Sequence, residues 1–131
     1  MNQRVKCYYA HPMYTYNSAI EQSDIELLLS LGMNPFNPNC IEVQQGLKNY
    51  IELYGVKDTM EYFTDLVAEC DAIAFRALPD GRLLSGVATE VQFAKKLGMP
   101  IIELPRLLEK RMMDYPETKE YLTELGFYKA K

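Results

Sequence analysis
The stretch from Ser85 to Ile102 does most to limit the folds open to this chain. It reads as a turn, an amphipathic helix, a glycine stop and a short apolar run, the pattern of a helix feeding a buried strand. Ser85 is the expected N-cap, and Gly98 the residue just past the helix end. At about 100° per residue, Val87, Val91, Phe93, Ala94 and Leu97 share one broad apolar arc. Thr89, Gln92 and Lys96 fill the polar side. Glu90 falls inside the apolar arc, between Leu97 and Ala94. A carboxylate there is costly unless it is paired or used. It also lies in the first turns of its helix, where the dipole favours negative charge. The bland alternative is an acid that snorkels out of the stripe to water.

The remaining segments supply the other parts of the same architecture. Val5 to Ala10 is a β-prone run ended by His11-Pro12, the expected central strand. A helix is expected from about Ser18 to Leu31, stopped by Gly32. Met33 to Pro38 reads as a brief strand weakened by proline, hence at an edge. Ile41 to Tyr54 reads as a helix interrupted near Gly46. Asp58 is the expected N-cap of a helix from Thr59 to Glu69, with Glu61 completing a capping box. Ala72 to Ala77 is the third strand, Leu78 to Leu84 a loop, and Pro100 to Leu104 the fourth strand. Leu107, Leu108, Met112 and Met113 read as a short helix or irregular cover, and a last helix is expected from Pro116 to Gly126. The alternation predicts one α/β domain over residues 1–131, Rossmann-like of the flavodoxin type. Its sheet is expected to be mainly parallel, with four to five strands and helices on both faces.

Composition narrows the partners. A chain of 131 residues suits a single domain with a proper core. A net charge of −4 argues against a nucleic-acid polymer as partner, though not against a small nucleotide. No apolar run approaches the ~20 residues of a membrane span, and Met1 to Cys7 carries no signal-peptide core. Cys7, Cys40 and Cys70 lack metal-ligand spacing, and His11 is the single histidine. Reduced thiols in a cytoplasm, with no metal and no cofactor, are the expectation.

In such sheets ligands bind beyond the carboxyl ends of the strands. That edge would carry Tyr8 to Met13, Asn37 to Asn39, the loop from Arg76 to Gly86, and Glu90. Glu61 and Asp65, one turn apart on the preceding helix, are further acids within reach, although a solvated helix acid is the commoner role. Ser85, the Gly86 and Val87 N–H groups and the helix dipole would suit an anion, with Arg76 or Arg82 adding a fork of donors. Tyr14, Tyr16, Asn17, Asn37 and Asn39 are candidates to stack on or hydrogen-bond a base.

Three segments of the chain carry a resemblance. Tyr8-Tyr9-Ala10-His11-Pro12-Met13 resembles the opening strand and turn of the nucleoside 2-deoxyribosyltransferase-like proteins, a group that includes 2′-deoxynucleoside 5′-phosphate N-hydrolases. Gly86 to Val91 through Gly98-Met99-Pro100-Ile101 is similar to their glutamate-bearing segment, and Cys70 to Ile73 to the start of their middle strand. The resemblance implies cleavage or transfer at an N-glycosidic bond, with Glu90 as nucleophile and Tyr8 orienting it. It also implies a homodimer or larger assembly, for which Met112, Met113, Leu107, Leu108 and the aromatic tail are the candidate contacts. The pattern departs from the family at Phe63, where an Asp is usual, and at His11, Leu84 and Gln92. Asp65 is then the nearest candidate for protonating the base. His11, Pro12, Met13, Asn37, Asp80, Arg82, Ser85 and Gly86 are the candidate substrate contacts, with a lean toward a 5′-phosphate at Ser85, Gly86 and Arg82. A nucleotide-binding module without turnover is the rival reading, and transferase against hydrolase stays open.

Overall fold
The computed structural model describes residues 4–57, 59–106 and 111–127. Within them the chain runs β1 (Lys6–Ala10), α1 (Ala19–Ser30), β2 (Asn34–Phe36), α2 (Ile41–Tyr54), α3 (Thr59–Ala68), β3 (Ala72–Phe75), α4 (Ser85–Lys96), β4 (Ile101–Glu103) and α5 (Tyr115–Glu124). All four strands are parallel, in the order β2-β1-β3-β4. This is a Rossmann-like α/β sheet with β1 and β3 at its centre. The chain leaves β1 toward one edge and returns on its other side as β3, so a switch point lies between these strands.

The period of two along β1 and β3 sorts the core into two layers. Tyr8, Ala10 and Ile73 face Val67 of α3 and Val87 and Ala94 of α4. Cys7, Tyr9, Ala72 and Ala74 face the other way, onto Leu28 of α1 and Leu104. Gly98 ends α4 at φ +73°, its N–H donating to the Lys95 carbonyl and that of Met99 to the Ala94 carbonyl. That paired closure needs a residue comfortable at positive φ, which is why glycine stands there.

Several boundaries differ from expectation. α2 runs unbroken through Gly46, because that glycine gives room to a neighbour: a Cβ there would collide with the Tyr62 hydroxyl, which donates to the Val43 carbonyl at 3.0 Å. Leu84, extended and without a side-chain bond, caps α4, and Ser85 is already helical. The third strand closes at Phe75, and Arg76 and Ala77 continue as loop. Leu97 is half exposed, since α4 has ended before it. α5 starts at Tyr115, with the Asp114 carboxylate accepting from the Glu117 N–H, and buries none of its residues. Asp58, Leu107, Leu108 and the tail beyond Phe127 lie outside the described residues. No helix among the described residues is long and apolar enough to cross a membrane.

Candidate functional site
Glu90 is 7% exposed, and its carboxylate accepts a hydrogen bond from the Tyr8 hydroxyl. The two side chains meet because β1 turns Tyr8 toward the layer that holds α4, while the helical arc turns Glu90 toward the sheet. Burial, only partly offset by the bond from Tyr8, pushes the Glu90 carboxyl up to about 7. Burial first, and then the neighbouring Glu90 charge, push the Tyr8 phenol well above its ordinary range. Tyr8 therefore keeps its proton and serves as a fixed donor to the carboxylate.

This pair lies in a pocket of about 550 Å³. The end of β1 contributes His11, Pro12 and Met13, and the following loop Tyr14 and Tyr16. Pro38 follows β2, Met60 and Phe63 come from α3, and Leu84 to Val87 open α4. The wall is thus mostly apolar and aromatic, with a few polar groups at one end. No side chain caps the N-terminus of α4, so Ser85 and the Gly86 backbone bring the positive end of its dipole to the pocket.

His11 is fixed from below. Its ring stacks on Tyr9 at 3.7 Å between centroids. Nδ1 lies 3.0 Å from the Tyr9 carbonyl and must donate to it. Nε2 lies 2.8 Å from Glu21, so one proton is held between imidazole and carboxylate. Burial pulls the imidazole below its ordinary pKa, against the pull of Glu21 and the carbonyl. Glu21 itself is raised by burial, but bonds from His11, Asn39 and the Asn17 N–H bring it below its usual range. Asn39 also donates to the Asn17 side chain at 3.0 Å, so the segment after β2 is tied both to α1, through Glu21, and to the turn before it.

Of the residues expected from sequence, Tyr8, Glu90, His11, Pro12, Met13, Ser85 and Gly86 line this pocket. Asp65 does not: it is exposed on α3, whose pocket face carries Met60 and Phe63. Glu61 is likewise exposed. Asn37 turns away to accept the Asn39 N–H at 2.9 Å. Asp80 and Arg82 form a surface ion pair with each other at 2.7 Å, outside the pocket lining. Arg76 crosses to the other layer, where its guanidinium grips Asp24 and donates to the Pro105 carbonyl.

Pro38 lines the pocket as its place in the Asn37 to Asn39 segment implied, whereas Met60, Glu21 and Asp24 were not expected. Met60 carries no sequence signal beyond a helical position one turn from Phe63. Glu21 had one: Ser18 and Glu21 stand at capping-box spacing, and the Ser18 hydroxyl accepts from the Glu21 N–H. Asp24 had the same signal as Glu90, an acid on an apolar stripe, between Ile20 and Leu28. Among the described residues no group of three or more His, Cys, Asp and Glu side chains converges as a metal centre would require. Comparison with protein-family models, with curated proteins and with solved structures returns no match.

Proposed function
We propose that this protein cleaves or transfers at the N-glycosidic bond of a nucleoside or its 5′-monophosphate, with Glu90 acting at the anomeric carbon. The observation that carries the reading is a buried carboxylate, held by Tyr8, in the floor of an aromatic-walled pocket at the switch point of the sheet. Glycosidic cleavage develops positive charge on the sugar, and a carboxylate stabilises it directly or as a glycosyl ester. Tyr14, Tyr16 and Phe63 offer flat surfaces to a base, and the uncapped start of α4 suits a phosphate. The resemblance of the three sequence segments to deoxyribosyltransferase-like proteins points the same way.

The test is incubation with ribo- and deoxynucleosides and their monophosphates, followed by chromatography for free base and mass spectrometry of the protein. Free base, or an adduct on Glu90, is the expected result. Turnover should rise with pH through about 7, because Glu90 acts only when ionised. In Tyr8→Phe that limb should move to higher pH, since the bond that favours the charged form is gone. The monophosphate should outperform the nucleoside, and Ser85→Ala should narrow the difference. The second reading, a binding module without turnover, draws on Phe63, an apolar group where the family resemblance leads one to expect an acid. It predicts ligand that co-purifies unchanged.

A homodimer or larger assembly belongs to the same proposal. α5 buries none of its residues, its first residue Tyr115 is exposed, and so are Met112, Met113 and Phe127 beside it. Light scattering at micromolar concentration should give at least twice the chain mass, and a monomer would overturn this part.

A further inference from the structure
We propose that the pocket takes N-glycosides whose base already carries a positive charge, a pyridinium or an N7-alkylated purine, and releases that base as a neutral molecule. This rests on the reading of Glu90 as the group that acts at the anomeric carbon. A neutral base cannot leave well unless a proton reaches it, and a positioned acid typically supplies about 10²–10⁴-fold of the rate. Besides the exposed Tyr14 phenol, the described lining offers no acid free of another partner. Glu90 is its one carboxylate, and it is engaged at the sugar. The Tyr8 hydroxyl is committed to Glu90, and burial holds its proton tightly. Burial and then Glu90 push the Tyr16 phenol up to about 12. Both nitrogens of His11 are taken, by the Tyr9 carbonyl and by Glu21. Across the pocket α3 presents Phe63 and Met60.

A cationic base turns this wall from a defect into a fit. Aromatic faces attract a cation, most strongly where water is excluded. The buried Glu90 carboxylate attracts it too, through a medium that screens poorly. In the reaction the C1′–N bond breaks, and its electron pair passes to the ring nitrogen. The base's positive charge is thereby cancelled with no proton added. Positive charge moves to the sugar, where Glu90 neutralises it. Water then adds at C1′: its oxygen becomes the anomeric hydroxyl, one of its protons goes to solvent, and Glu90 is left as carboxylate.

The experiment uses matched pairs that differ in charge: 7-methylguanosine against guanosine, in ribo and 2′-deoxy forms, with and without a 5′-phosphate. Nicotinamide riboside and its mononucleotide are run beside them. Released base is measured by chromatography at one pH, with the uncatalysed rate subtracted. The expected result is a kcat/KM at least about 100-fold higher for the cation of the best pair, the gap an absent acid leaves open. A smaller ratio overturns the proposal and leaves glycosidic cleavage by Glu90 standing. Cleavage of none of these compounds overturns both. Phe63→Asp supplies a carboxyl at the base side, and should raise turnover of the neutral partner more than that of the cation. If that variant fails to fold, the wild-type ratio still decides.

Discussion
Glu90→Gln should abolish the proposed turnover and make the protein more stable above neutral pH. The amide keeps the shape of the side chain but can neither carry charge nor form an ester. The gain in stability follows from burial. Folding raises the Glu90 pKa from about 4.5 to about 7, so the native state binds more protons than the unfolded chain between those values. Stability from this group is complete below about 4.5 and is lost as pH rises through about 7. At pH 8 the folded protein carries the full cost of an ionised buried carboxylate, on the order of 3 kcal/mol. Urea denaturation at pH 4.5 and pH 8 should therefore show the Gln variant gaining on wild type only at the higher pH. Full activity in Glu90→Gln, or an equal stability change at both pH values, would refute the role and the electrostatics respectively.

Arg76→Met should be the most destabilising single change in the molecule. Arg76 and Asp24 are both buried, and Asp24 accepts from Arg76 Nε at 3.0 Å and from the Tyr9 hydroxyl at 2.5 Å. The same guanidinium donates to the Pro105 carbonyl, so it joins the end of β3, α1 and the segment after β4. Removing it strands a carboxylate in the core, at a cost of about 3–5 kcal/mol. The double variant Arg76→Met with Asp24→Leu removes both charges and should recover much of that loss, leaving Tyr9 with an unpaired hydroxyl. A double-mutant cycle by chemical denaturation measures the coupling. Additive losses would mean that the pair does not act as a unit. Neither change touches the pocket lining, so any folded fraction should keep the activity of wild type.

Much of the fold is legible in the sequence. Its signals are local and strong: the βα alternation, glycine stops such as Gly98, and runs like Tyr8 to Ala10 that alternate between two layers. The strand β2 could be assigned to an edge because proline removes a donor from the ladder. Glu90 was legible for a related reason, since a charge on an apolar arc contradicts its surroundings. The course of α2 was not, because Gly46 answers to Tyr62 on another helix, and sequence spacing is silent on that contact.

Within the candidate site, sequence alone determined the elements that meet at the pocket: an acid in the first turns of α4, a tyrosine on the central strand, and a histidine at that strand's end. Only the tertiary structure decided which polar groups converge. Asp65, Asn37, Asp80, Arg82 and Arg76 all had suitable chemistry at suitable positions. Each is drawn elsewhere, Arg82 to Asp80, Arg76 to Asp24, Asn37 to the Asn39 N–H, and Asp65 to solvent. The reason is geometric. A helix face or a strand parity fixes the direction of a side chain, but the partner it meets belongs to another element, distant along the chain and adjacent in space.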